Sequence, residues 1–293
     1  MAGGIYIKNG PITLEQKYEE FKKEINVFLE ANLPAFSAEG QRLLGEAMSY
    51  GVTSGGKRIR GVLALAVCEL LGGDMDAVLP IAGSIEYIHA YSLIHDDLPC
   101  MDDDDFRRGK PSCHKVYGEG IAVLAGDALL NHAFEMLLNS AVRLSRGYRF
   151  VEAAAYVAGA AGAGGMAGGQ AVDLCADIRD ETRLAYLHRL KTGKLFNAAI
   201  LAPAICLGAN GEDYEALLEY SNRIGLAFQI KDDIQDTAGE GKIDGERNYV
   251  SLIGARRASQ RLYENCRKAV GSLSKFTWKA DFLRDITGFI SES

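Results

Sequence analysis

Apolar residues recur along the chain at a spacing that winds them onto one face of a helix. From the start of the patterned region they fall at Leu14, Tyr18, Phe21, Ile25, Phe28 and Leu29, with Glu and Lys between them. That is the three-and-four-residue rhythm of an amphipathic helix. Pro34 marks a stop. Runs of the same kind follow at 59–71, 78–95, 120–144, 151–167, 182–207, 214–236 and 251–273, with Gly, Pro and Asn in the gaps. Several are apolar on most faces, as the inner helices of a large bundle must be. No sustained alternation of β-branched residues asks for strands, so the pattern predicts an all-α helical bundle. The small-residue stretch Val157–Gly169 (VAGAAGAGGMAGG) reads as close helix–helix approach. A phosphate loop is the weaker reading there, because no strand precedes it and no Gly-Lys-Ser/Thr follows.

Composition adds bounds. Length alone admits one or two domains at roughly 100–200 residues each. The 293 residues are 48% hydrophobic with only six prolines, and no Ser/Pro-rich linker divides them. Residues 1–293 therefore read as a single domain. The net charge of -7 argues against nucleic-acid or anionic-membrane binding. Six scattered cysteines without a C-x-x-C pair suit free thiols in a reducing cytosol. No signal core opens the chain, and apolar stretches such as Gly61–Cys68 fall short of the roughly 20 residues a membrane span needs. The expectation is a cytoplasmic protein without stable membrane association.

The chemistry concentrates in two acidic clusters, SLIHDDLPCMDDDD (Ser92–Asp105) and FQIKDDIQD (Phe228–Asp236), each at the end of an apolar run. Like charge packed beside a hydrophobic segment is costly unless something neutralises it. A hard divalent cation shared with phosphate oxygens is the usual answer. On a helix Asp232 and Asp236 share a face with Gln229 one turn earlier, and Asp233 lies about 100° round. Pro99 should break the first helix near Leu98, letting Asp102 curl back toward Asp96. His89 sits two turns before Asp96. Arg107 and Arg108 follow the first cluster, and GGKRIR (Gly55–Arg60) puts Lys57, Arg58 and Arg60 at the start of an apolar helix, where an anion is favoured.

Each element alone has a plainer explanation: a solvated acidic face, surface charge at a helix start, a satisfied core histidine. An EF-hand is disfavoured by Phe106 and Arg107 at positions that need a ligand and a glycine. Their co-occurrence points to a two-phosphate substrate.

GGKRIR, the stretch from Glu86 to Leu130, GGQAVDL (Gly168–Leu174), LKTGKLF (Leu190–Phe196) and FQIKDDIQD together resemble the trans-isoprenyl diphosphate synthases, with the greatest similarity to the bacterial farnesyl diphosphate synthases. The resemblance spans about residues 55–254. It implies the all-α isoprenoid synthase fold around a central active-site cavity, and a homodimer. It further implies a prenyltransferase joining isopentenyl diphosphate to dimethylallyl or geranyl diphosphate.

By that resemblance three Mg2+ ions lie between Asp96, Asp97 and Asp102 on one side and Asp232, Asp233 and Asp236 on the other. Arg107, Lys191 and Lys242 would assist the allylic diphosphate, and Thr192 and Gln229 the allylic cation. Lys57, Arg60, His89 and Arg108 would hold isopentenyl diphosphate. Tyr91 and Ser92, with the two-residue insertion around Pro99 and Cys100, would form the pocket floor, and an aromatic residue there goes with a fifteen-carbon product. A geranylgeranyl or geranyl diphosphate synthase, and a non-catalytic partner subunit, are the alternatives. Terpene cyclases share acidic pairs but would not need GGKRIR and His89, and a plain Ca2+-binding acidic module is the remaining rival. Two departures stand out. Gly61 replaces a frequent proline. The segment Thr237–Gly254 is short and carries Glu246-Arg247-Asn248-Tyr249 where relatives have Lys-x-Thr-Tyr.

Overall fold

The computed structural model describes residues 13–143, 147–176, 178–238 and 248–291. Among these, helices dominate: α1 (Leu14–Asn32), α2 (Glu39–Thr53), α3 (Ile59–Leu70), α4 (Met75–Asp96), α5 (Cys113–Tyr117), α6 (Glu119–Arg143), α7 (Gly147–Ala161), α8 (Met166–Cys175), α9 (Glu181–His188), α10 (Lys194–Leu207), α11 (Gly211–Ala238), α12 (Tyr249–Ile253), α13 (Ala255–Ser272) and α14 (Asp281–Ser291). The all-α expectation holds. One small departure is a two-residue antiparallel ladder, β1 (Phe106–Arg107) with β2 (Lys110–Pro111).

The inner helices explain themselves by composition. Nearly every residue of α3 is buried, and α4 and α10 are buried on most faces, so they pack against one another and against α6, α7 and α11. Outer helices keep one apolar stripe: α1 buries Phe21, Ile25 and Leu29 and begins in a Thr13/Gln16 capping box that satisfies free N–H groups. One hydrophobic cluster runs from Phe21 to Ile290.

Several sequence-based boundaries shift. The run expected at 151–167 is two helices separated by a tight turn, where Gly165 and Gly168 pass so near Ala160 and Ala163 carbonyls that a Cβ would lie within 2.1 Å and 1.9 Å of them. Helix α2 and the C-terminal α14 follow weak or short patterns that the periodicity did not single out. The run at 182–207 is continuous but contains a π-helical turn, Arg189–Gly193. Three helical stretches, 75–96, 119–143 and 181–207, are in fact long and apolar enough for a membrane span, contrary to the expectation. Burial accounts for two of them, with 78% and 61% of their apolar windows inside the fold, whereas α6 leaves Leu124, Leu138 and Val142 exposed.

Candidate active site

The first acidic cluster begins where α4 ends. The chain curls after Asp96: the Asp102 N–H donates to the Asp96 carbonyl at 2.9 Å and the Asp103 N–H to the Leu98 carbonyl at 3.1 Å. The turn around Pro99 thus brings the Asp102 backbone back against that of Asp96, as the spacing suggested. Beyond it the Arg107–Lys110 hairpin turns through Arg108 (φ 55°) and Gly109 (φ 76°). Successive positive φ values are the signature of a hairpin turn whose twist matches its strands. The Arg-Arg-Gly sequence is therefore a turn that aims two guanidinium groups, which the sequence alone did not disclose.

Those arginines have definite partners. Arg107 Nε donates to Asp97 Oδ1 at 2.8 Å, and its Nη2 bonds both Asp97 and Asp104. Asp97 is only 3% exposed. The structure thus turns Asp97 away from the position expected of a metal ligand and gives it to the arginine. Arg108 donates to the Gly55 carbonyl. Its guanidinium lies so close to Gly56 that a Cβ there would come within 2.6 Å, which is why that position, at φ 126°, takes glycine.

The GGKRIR loop is braced from below. Arg58 points inward, donating to Asn26 Oδ1 at 2.9 Å and pairing with buried Glu86 at 3.7 Å. Glu86 also accepts the Gly61 N–H at 2.9 Å. A proline at 61 could not make that bond, and a Cβ at 61 would meet Ile25 Cδ1 at 2.5 Å, so the departure at Gly61 is a structural lock. Glu86 is a positioning residue that sequence reasoning passed over, although it stood in the quoted stretch. Arg60 lies over the Phe196 ring at 4.7 Å, and burial lowers its pKa to about 10. His89 is held well below the usual histidine range, by burial first and then by Arg60 and Arg108.

The second cluster rides on α11. Asp232 faces a cavity of about 630 Å³ shared with Lys57, Arg60, His89 and Gln229. Asp233 turns inward, 4% exposed, and accepts from Gln229 Nε2 at 2.9 Å and the Tyr249 N–H at 2.8 Å. Like Asp97, it is placed differently from the ligand expectation. Asp236 is exposed. Lys191 and Thr192 come from the π turn, a local widening often found at functional sites. Gly169 permits it, since a Cβ there would lie 2.3 Å from the Lys191 nitrogen. Lys191 pairs with Asp173 at 2.6 Å, and the Thr192 hydroxyl donates to Gln229 Oε1 at 2.8 Å. Asp173, in GGQAVDL, is another partner the motif contained without naming.

A second cavity of about 430 Å³ adjoins the first through Arg60, His89 and Thr192, and runs past Asp96 to Tyr91, Ser92 and Met166. Tyr91 packs edge-on to His95, ring centroids 5.7 Å apart. Both volumes fall in the range of small-molecule sites. Asp96 and Asp232 have pKa values raised to about 6, in each case mainly by burial, with Asp102 and Asp236 respectively adding repulsion. Partly buried carboxylates that line adjoining cavities supply the oxygen ligands that a hard divalent cation takes. Next to them Asp103, Asp105 and the buried His114 bring ligand atoms within 4.8 Å of one another. Lys242 and Arg247 lie outside the described residues.

Residues 41–253 match the polyprenyl synthetase family. A farnesyl diphosphate synthase of Geobacillus stearothermophilus is 40% identical over 86% of this chain and 88% of its own. The heterodimeric geranylgeranyl pyrophosphate synthase large subunit 2 of Arabidopsis thaliana is 39% identical over 93% of this chain and 76% of its own. Among solved structures, an apo FPP/GFPP synthase from Zymomonas mobilis superposes with a TM-score of 0.87 at 39% identity, covering 95% of this chain and 98% of the other.

Proposed function

The chain belongs to the polyprenyl synthetase family and is a prenyltransferase, and from that premise we propose that it condenses isopentenyl diphosphate with dimethylallyl and then geranyl diphosphate, releasing chiefly farnesyl diphosphate. The observation that carries this reading is the pair of adjoining cavities, one rimmed by Lys57, Arg60 and Arg108, the other lined by Asp96, Lys191 and Tyr91.

In this reading Asp96 and Asp102 on one side, and Asp232 and Asp236 on the other, would hold Mg2+. When bound, Mg2+ supplies the positive charge that lets a diphosphate depart. Arg107, kept on station by Asp97, and Lys191, by Asp173, face the leaving group with fixed positive charge. The Gln229 carbonyl and Thr192 oxygen present negative dipoles to the allylic carbon as it becomes positive. Lys57, Arg60, His89 and Arg108 orient isopentenyl diphosphate through its own diphosphate. His89, kept neutral by its surroundings, serves as a hydrogen-bonding group rather than a charge. The double bond of isopentenyl diphosphate attacks the allylic carbon as that carbon's bond to its diphosphate breaks, and the proton lost afterwards goes to the departed diphosphate, so no side-chain base is needed. We also place the protein in the cytosol, as a homodimer whose second copy covers the exposed apolar face of α6.

The deciding experiment incubates the purified protein with isopentenyl diphosphate, dimethylallyl diphosphate and Mg2+, with an EDTA control, and separates the dephosphorylated alcohols. Metal-dependent farnesol supports the proposal. Geranylgeraniol keeps the chemistry and removes the Tyr91 floor, in line with the Arabidopsis relative, and no product favours a partner-subunit role.

A further inference from the structure

We infer that Asp233 is a positioning residue that fixes which end of the Gln229 side-chain amide faces the reacting carbon, an inference that rests on the prenyl-transfer reading above. Its neighbour Asp232 faces the cavity, but Asp233 points into the fold with both oxygens in use. Oδ1 accepts from Gln229 Nε2 at 2.9 Å and Oδ2 from the Tyr249 backbone N–H at 2.8 Å. His188, stacked on the Tyr249 ring with centroids 5.5 Å apart, closes the remaining side, its Nε2 at 3.6 Å from Asp233 Oδ2.

Both Asp233 oxygens act as acceptors here, Oδ2 from a backbone N–H that can only donate. Gln229 must therefore offer its NH2 to Asp233, and its carbonyl oxygen is left to take the Thr192 hydroxyl at 2.8 Å on the cavity side. The two ends of a glutamine amide are nearly the same shape, and only the hydrogen-bond network distinguishes them. Turned over, Gln229 would point a positive N–H edge at a carbon that is becoming a cation. Held by Asp233, it points a negative carbonyl there, aligned before the reaction begins. The same carboxylate ties the start of α12 to α11, so the segment that re-enters at Tyr249 is registered against the catalytic amide.

The test is Asp233→Asn beside Asp232→Asn. An asparagine can accept from the Tyr249 N–H, but its NH2 then faces Gln229 and invites the amide to turn over. The expected result for Asp233→Asn is a kcat at least about tenfold lower, with the Mg2+ concentration for half-maximal rate within about twofold of wild type. Asp232→Asn, besides lowering kcat, should raise that concentration by about tenfold or more. The exchange Gln229→Glu/Asp233→Asn restores both hydrogen bonds and an oxygen toward Thr192, so it should recover part of the rate lost in Asp233→Asn. It also carries the test if the single variant does not fold.

An Asp233→Asn enzyme with kcat within about threefold of wild type, a Mg2+ requirement shifted as far as in Asp232→Asn, or no recovery in the exchange would overturn the inference. Absence of product from wild type would instead remove the functional reading. In that event the Gln229 side-chain amide protons decide the geometry, slow to exchange in wild type and fast in Asp233→Ala; equal rates refute it.

Discussion

Asp96 and Asp232 are each protonated more readily in the fold than in an open chain, because burial penalises their charge. Between about pH 4 and pH 6 the folded state then binds more protons than the unfolded one, so these two groups make stability fall as pH rises through that window. At pH 7 both are charged, and their positive neighbours, Lys191 and Arg107 for Asp96 and Lys57 and Arg60 for Asp232, offset only part of the cost of burying that charge. Asp96→Asn and Asp232→Asn should therefore each raise the Tm of the metal-free protein at pH 7 by about 2–4 °C. The gain should largely vanish at pH 5, where wild type is mostly protonated. The same variants, and Asp96→Ala, should lose roughly three orders of magnitude in kcat while remaining folded. Calorimetry at the two pH values with parallel turnover assays checks both halves; an unchanged rate would remove Asp96 from the site. Tyr91 belongs to the same scale. It lines the second cavity, and on the proposed function Tyr91→Ala should lengthen the product, read by chromatography of the alcohols; an unchanged length would show that the floor lies elsewhere.

Two elements owe their placement to a missing side chain. At the start of α3, Gly61 lets the backbone donate to Glu86 and approach Ile25. Gly61→Pro would unpair a buried carboxylate oxygen and overfill that gap, costing about 2–4 kcal/mol in urea denaturation. At the π turn, Gly169→Ala would push on the Lys191 backbone; a stability loss of about 1–3 kcal/mol is expected, with kcat reduced more than KM because Lys191 and Thr192 move together. How much of this was legible in the sequence depended on whether local spacing carried it. The long helices, the curl after Pro99 and the sharing of a face by Asp232 and Asp236 follow from periodicity. The inward turn of Asp97 and Asp233 does not, since each sits in a run of carboxylates and only a tertiary partner, Arg107 or Tyr249, tells it from its neighbours. Nor is a π turn visible, for LKTGKLF is as compatible with an α-helix. The roles of the positively charged residues came from family resemblance, and the structure adds the carboxylates that hold several of them.

Seen whole, the chain buries most of its apolar helices but leaves Leu124, Leu138 and Val142 outside on α6, the last 81% exposed. Single apolar side chains outside are ordinary, whereas several on one helix mark a surface for a partner. On the proposed homodimer, Leu138→Lys should shift the solution mass from dimer toward monomer by light scattering. A wild-type monomer would reject the homodimer. The cavities have a consequence at this scale too. Burial pushes Asp96 and Asp232 toward protonation and lowers the pKa of Arg60, and on the proposed function a metal–diphosphate would supply both with opposite charge. Ligand bound only to the folded state stabilises it in proportion to the logarithm of its concentration. On the proposed function, limited proteolysis should therefore be slower with Mg2+ and a diphosphate substrate present than with neither, which would tie the protein's lifetime to the supply of what it consumes.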